Sequence, residues 1–369
     1  MSEWREYKLG DVAEFQYGKM PDKSKVKSKG THPIFSGYQI TGYYDEFNSD
    51  EDLIIVARGV GGTGDVKISP PKSYVTNLSI IAKLNLGLVE KRFLYYRYLI
   101  GNLRYLDSGS AQSQVTIGDL KKVPLLLPPL PEQRAIAGVL SSLDDKINLL
   151  HRQNKTLEGI AEALWRKMFI EEADPAWKKG RLGDYGQIIC GKTPSKKVAE
   201  YFGGHVPFIK IPDMHGNVFI FETEDSLTET GVKSQQSKTI PAKSICVSCI
   251  ATVGLVCMNA VDSQTNQQIN TIIPNNEFQR YFLFLLMRNM TDDLLARASG
   301  GTATDNLNTG DFSRIEMSKP PENGIQKFDD LVIAHFEKIY ANQIQIRTLS
   351  RLRDMLLPKL MSGEVRVNL

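Results

Sequence analysis

At 369 residues, with 41% hydrophobic and 24% charged residues, the chain has room for two domains and ample material for packed cores. Its 45 basic and 42 acidic residues leave a net charge of +3, so bulk electrostatics argues only weakly for a polyanionic partner. No run approaches ~18 consecutive apolar residues, the opening MSEWREYKLGD has no apolar signal core, and four cysteines are too few for a disulfide scaffold. The expectation is a cytoplasmic chain with free thiols and no membrane contact.

In chain order, residues 4–21 come first and read WREYKLGDVAEFQYGKMP. Lys19, Lys23, Lys25, Lys27 and Lys29 follow as a compact basic cluster, suited to phosphate contacts, although a solvated loop has the same composition. Leu53 to Val56 reads as a buried strand and runs into Gly59-Val-Gly61-Gly-Thr-Gly64, which fits the dinucleotide fingerprint. The segment after it, Asp65 to Pro71, reads as no helix, and no acid lies ~20 residues beyond to hold a ribose. A glycine-rich turn beside Arg58, open to close backbone approach, fits better. Thr76 and Asn77 come next, then Gly118-Asp119 and a Pro128-Pro129 hinge.

After Pro131 the positions Ile136, Leu140, Leu143, Ile147, Leu150, Asn154, Leu157, Ala161, Leu164 and Met168 alternate steps of four and three, the signature of a heptad seam. The opening pattern then recurs: residues 177–194 read WKKGRLGDYGQIICGKTP, matching residues 4–21 at an offset of 173. Trp4, Leu9, Gly10, Asp11, Gly18, Lys19 and Pro21 return as Trp177, Leu182, Gly183, Asp184, Gly191, Lys192 and Pro194. Lys196 and Lys197 follow as the basic counterpart of the first cluster. Gly64 corresponds to Gly254, and Thr76-Asn77 to Thr265-Asn266, with Gln267 next. Gly118-Asp119 and Pro128-Pro129 return at an offset of 192 as Gly310-Asp311 and Pro320-Pro321, so the second copy holds about 19 more residues.

The same offset carries the first seam onto Phe328, Val332, His335, Ile339, Asn342, Ile346, Leu349, Arg353, Leu356 and Leu360, a second stripe in register. Asn154 and Asn342 on these stripes are residues that coiled coils use to fix register. Pro358 stands where helix one has Arg166, so helix two is expected to end or kink there. Residues 136–168 would span ~50 Å as a helix. If helix two returns antiparallel along it, two similar domains sit at opposite ends of a rod about an approximate two-fold axis. That arrangement suits two separated stretches of duplex DNA.

Two further motifs point to other chemistry. Gly186 to Thr193 fits the G-x-x-x-x-G-K-[ST] phosphate-loop pattern, yet Ile188 to Cys190 reads as strand and Pro194 disfavours a helix at the lysine. Cys246 and Cys249, with Cys257 and Cys190, could suggest zinc, but no second CxxC or His pair completes a site.

The hinge Pro128-Pro-Leu-Pro-Glu-Gln-Arg-Ala-Ile-Ala137, the following Leu143-Asp-Asp-Lys-Ile147, the C-terminal Leu356-Leu-Pro-Lys-Leu-Met-Ser-Gly-Glu-Val-Arg366 and the paired Leu-Gly-Asp openings together resemble the specificity subunit of type I restriction–modification enzymes. The resemblance spans nearly the whole chain, and it departs at the second hinge, Pro320 to Phe328, which lacks Pro-Glu-Gln-Arg, and at Pro358. It implies an α+β fold of two similar mixed target-recognition domains separated by an antiparallel two-helix coiled coil. The expected divisions are 1–127, first domain; 128–174, hinge and helix one; 175–319, second domain; and 320–369, hinge, helix two and a tail returning to the first domain. It also implies one half of a bipartite, asymmetric DNA site per domain, with the coiled coil setting the spacer and with no catalysis and no cofactor in this chain. The partners are double-stranded DNA, two methyltransferase subunits and motor-nuclease subunits, with S-adenosylmethionine, ATP and Mg on those partners.

On this reading Lys19, Lys23, Lys25, Arg58, Lys192, Lys196 and Lys197 contact phosphates or bases, and Thr76, Asn77, Asn266 and Gln267 are base-edge candidates. Turn and strand-cap chemistry explains the Asn residues nearly as well. The seam residues are Leu140, Leu143, Ile147, Leu150, Asn154, Leu157, Leu164, Ile339, Asn342, Ile346, Leu349 and Leu356. The alternatives are a nucleotide-binding enzyme built on the glycine loops and a stand-alone DNA-binding regulator.

Overall fold

A computed structural model describes residues 4–59, 62–107, 113–299 and 306–367. The chain divides into two compact units, residues 1–148 with 347–369, and residues 149–346. The strands of the first unit are β1 (Arg5–Lys8), β2 (Ala13–Tyr17), β3 (His32–Phe35), β4 (Ile40–Tyr44), β5 (Leu53–Val56), β6 (Val66–Ile68), β7 (Tyr74–Val75), β8 (Ser79–Leu84) and β9 (Pro124–Leu127). With them run α1 (Leu9–Val12), α2 (Lys91–Ile100), α3 (Ile117–Lys122) and the start of α4 (Leu130–Arg166). Three sheets result, β2-β8-β5-β6, β4-β3-β7 and the pair β1-β9. All four residues of β5 are buried, as its continuous apolar run requires of a strand covered on both faces.

The second unit repeats this plan. Its strands are β10 (Lys179–Arg181), β11 (Gly186–Cys190), β12 (Phe202–Ile209), β13 (Phe219–Ile220), β14 (Ser226–Leu227), β15 (Ile245–Ser248), β16 (Val256–Asn259), β17 (Gln264–Thr265), β18 (Ile269–Pro274) and β19 (Glu316–Ser318). Its helices are α5 (Ile211–Met214), α6 (Glu229–Lys233), α7 (Arg280–Asn289), α8 (Thr291–Ala298), α9 (Thr309–Ser313) and α10 (Glu322–Ser362), the last continuing into the first unit. The sheets run β11-β18-β15-β16-β13, β14-β12-β17 and β10-β19, the first unit's order with β13 added at one edge. The length difference has a definite address. From β2 to β11 the offset is 173, from β5 to β15 it is 192, so the extra residues lie between these strands, where α5, β13 and α6 form.

Each recurring motif has a structural cause. In the Leu-Gly-Asp openings the Lys8 and Arg181 amides donate to the carboxylates of Asp11 (2.7 Å) and Asp184 (2.8 Å), closing the same turn in both units. In the Gly-Asp pairs the Asp119 and Asp311 amides are capped by Thr116 Oγ1 and Asn308 Oδ1. Gly64 and Gly254 recur because both take left-handed backbone, φ +87° and +92°, and their amides bond back to Val56 and Ser248. The Gln133 of the first hinge is a staple: its Nε2 donates to the carbonyls of Leu88 (3.0 Å) and Pro128 (2.9 Å), and its Oε1 accepts from the Glu90 amide (2.8 Å). In the second hinge the corresponding Ile325 is buried instead, so that junction is held by apolar packing.

All twenty stripe positions, those of α4 and α10 together with Met168 just past the end of α4, are buried or half-buried. In the second unit Phe169 packs edge-on against Phe328, while Asn342 Nδ2 donates to Asn154 Oδ1 (2.7 Å) and Gln153 Oε1 (2.9 Å). Rising number on α4 meets falling number on α10, so the segments are antiparallel there. In the first unit Arg353 Nη1 donates to Asp144 Oδ1 (2.8 Å), and Tyr96 Oη donates to the other carboxylate oxygen (2.6 Å). Helix two does not end at Pro358: α10 runs on to Ser362. A proline one turn from a helix end removes only one late hydrogen bond, and buried Leu357, Leu360 and Met361 hold that turn in the core.

Candidate nucleic-acid interface

The repeated Gly-Lys pair lies at one end of the main sheet in each unit. In the first unit the Gly18 and Lys19 amides donate to the carbonyls of Ser79 (2.9 Å) and Val75 (3.1 Å), and the Thr76 amide to Phe35 (3.1 Å). Ala57 and Arg58 both donate to the Leu78 carbonyl (2.9 and 3.1 Å). In the second unit Gly191 donates to Ile269 (3.0 Å), Lys192 to Thr265 (2.9 Å), Asn266 to Ile209 (3.1 Å) and Cys249 to Gln268 (2.8 Å). The glycines are required by proximity. A Cβ at Gly18 would lie 2.2 Å from the Thr76 carbonyl oxygen, and one at Gly191 equally close to that of Asn266.

This hydrogen-bond frame corrects one pairing read from the sequence. Thr76 and Asn77 occupy the places of Asn266 and Gln267, an offset of 190, not those of Thr265 and Asn266. The Thr-Asn identity is one residue out of structural register, and only the backbone pairing exposes the slip.

The frame gathers Lys19, Arg58 and the Thr76–Asn77 turn in the first unit, and Lys192 with Asn266 and Gln267 in the second. Lys19, Arg58, Asn77, Lys192 and Gln267 are exposed, whereas Thr76 and Asn266 are each 7% exposed. Asn266 is engaged in its own turn: Nδ2 donates to Gln268 Oε1 (2.8 Å) and Oδ1 accepts from the Gln268 amide (3.1 Å). Lys23 and Lys25 are exposed on a short turn capped by Asp22, whose carboxyl is held below its ordinary pKa by the hydroxyl and amide of Ser24. Lys196 and Lys197 are exposed in the turn after Pro194. The frame does not tie these four lysines to the Gly-Lys pair, and Lys27 is paired with Asp45 (2.7 Å).

Two contributors escaped the sequence reading. Thr193 Oγ1 donates to Gln267 Oε1 (2.6 Å), and the buried Gln235 Nε2 donates to the Lys192 carbonyl (2.6 Å) and to Gln264 Oε1 (2.8 Å). Gln235 belongs to the segment present only in the second unit, so the repeat carried no signal for it. The glycine motifs also find their places. Gly186 to Cys190 is β11, and the Gly191 and Lys192 amides, which a phosphate loop would offer to its ligand, are bonded into the sheet. Of the second motif, residues 60 and 61 lie outside the described residues, and β6 follows it. Cys246 and Cys249 are buried in different clusters, and no group of three metal-ligating side chains occurs among the described residues.

The profile of the type I restriction modification DNA specificity domain matches residues 1–159 and again residues 175–350. The chain belongs to this family. The double match is the internal repeat seen in the two units. Among curated members of the specificity family, the type I restriction enzyme HindI specificity subunit of Haemophilus influenzae is 33% identical, over 99% of this chain and 100% of that protein. The MjaIX specificity subunit of Methanocaldococcus jannaschii is 29% identical, over 99% and 94%. The crystal structure of the type I restriction–modification S subunit from M. genitalium has the same fold, with a TM-score of 0.72 at 18% identity, covering 100% of this chain and 97% of that one. Among the described residues no helix is long and apolar enough to cross a membrane.

Proposed function

We propose that this specificity-family chain is the non-catalytic DNA-reading subunit of a type I restriction–modification complex, each unit reading one half of a bipartite site. The observation that carries this is the repeated tip: in both units a glycine-lysine turn is clamped by backbone hydrogen bonds beside a turn that exposes an amide side chain, Asn77 in the first and Gln267 in the second. Lysines supply sequence-independent attraction to phosphates, and the adjacent amide and guanidinium groups can discriminate base edges. Lys19, Lys23, Lys25, Lys192, Lys196 and Lys197 take the phosphate role, Arg58, Asn77 and Gln267 the base-edge role, and Thr76 and Asn266 shape the turns.

The paired stripes of α4 and α10 act as a coiled coil that sets the spacer between the half-sites. Antiparallel contacts within the second unit and the burial of both stripes support this. Methyltransferase subunits carrying S-adenosylmethionine and motor-nuclease subunits carrying ATP and Mg supply the chemistry. The reading is tested by selecting from a pool of randomised duplexes with the full chain. The expected product is two short specified blocks separated by an unspecified spacer. Enrichment of no motif, or of one unbroken block, overturns it.

A further inference from the structure

The two tips share one backbone frame but differ in what they display. The Arg58 and Ile250 positions correspond, since Ala57 and Cys249 bond to the carbonyls of Leu78 and Gln268 in the same way and accept in turn from Val115 (3.0 Å) and Leu307 (2.9 Å). On this register Met20 stands opposite Thr193, Asn77 opposite Gln267, and Leu78 opposite Gln268. Lysine and glycine are conserved between the tips because the frame and the phosphate contact need them. The four positions around them are free to differ, and each pair does.

We infer that these four positions are the base-reading positions of each unit, and that their chemistry decides which bases each half-site holds. The inference rests on the DNA-reading function proposed above. In the second unit both glutamine oxygens are occupied, Gln267 Oε1 by Thr193 and Gln268 Oε1 by Asn266. Their –NH2 groups are the parts left to face a ligand, and they match acceptor edges in the major groove, N7 and O6 of guanine or O4 of thymine. The first unit presents Arg58, whose amide bonds to the Leu78 carbonyl (3.1 Å), and on the same tip two exposed apolar side chains, Met20 at 64% and Leu78 at 40% exposure. A tip meant only for phosphate has no use for them. Arg58 matches the paired acceptors of guanine, and the apolar neighbours match the thymine methyl group.

The test is the randomised-duplex selection repeated with full-length Arg58→Gln and Gln267→Glu variants. Arg58→Gln relaxes one guanine position in one half-site, from about tenfold preference to about twofold or less, and leaves the other half unchanged. Gln267→Glu exchanges a donor for an acceptor and moves one position of the other half-site towards cytosine. Both substitutions are at exposed positions, and undiminished low-salt binding to a duplex of unrelated sequence confirms an intact fold. A two-block motif from the parent chain with identical motifs from both variants overturns the inference and leaves the function standing. No motif from the parent chain overturns the function itself, and this inference with it.

Discussion

At the scale of single residues, Asp329 is the group whose ionisation costs the fold most clearly. It lies near the start of α10, 8% exposed, and burial pushes its pKa up to about 6 from the ordinary 3.8. The Arg280 guanidinium opposes the shift, while Asp330 and Glu277 add to it. The sign follows from linkage. Below about pH 4 the carboxyl is protonated in both states, and between about 4 and 6 only the unfolded chain gives up its proton, so stability falls as pH rises through that window. Asp329→Asn removes the penalty. The expected result is a gain of roughly 1–3 kcal/mol at pH 7 and a flatter stability profile from pH 4 to 6, read by urea unfolding. A variant as pH-sensitive as the parent overturns the assignment. Nothing in the sequence marks Asp329, because its surroundings include Arg280 of α7, a helix that begins some fifty residues earlier.

At the scale of elements, α4 and α10 carry the pairing. The heptad spacing was legible because a helix brings every third and fourth residue to one face, whatever it packs against. Asn342, 1% exposed, spends both amide hydrogens on Gln153 and Asn154, so the polar step in each stripe meets the other. Asn154→Ala leaves a buried donor unmatched and lowers stability by about 1–3 kcal/mol. The double replacement Asn154→Leu with Asn342→Leu recovers the loss while weakening the specification of register. Denaturant midpoints of the single and double variants measure this, and a single variant as stable as the parent would show that the amide pair contributes nothing. The strands were less legible. The buried run of β5 stood out, but the short parallel pairs β3-β7 and β12-β17 join segments some forty and fifty-five residues apart, and no local pattern encodes such pairing.

At the scale of the molecule, charge is local. A net +3 gives little field at a distance, so attraction to a polyanion must come from clusters such as Lys192, Lys196 and Lys197. Replacing Lys196 and Lys197 by alanine lowers the slope of log affinity against log salt by up to about two, with the selected DNA motif unchanged. An unchanged slope removes both from the contact surface. The opposite response, one altered motif position with slope intact, is the signature expected of Arg58 and Gln267, so the two measurements separate attraction from reading.

The sequence by itself determined the duplication, the two heptad stripes, the glycine-lysine turns and the family, since each is a periodicity or a motif that survives as spacing along the chain. Tertiary structure alone decided which residues share a tip. Lys19, Arg58 and Asn77 meet because three strands end together, and the one-residue shift that pairs Asn77 with Gln267 is visible only in backbone hydrogen bonds. Sequence similarity aligns residue types, whereas a sheet aligns carbonyls and amides, and at the tips it is the second alignment that sets which side chains can face a ligand.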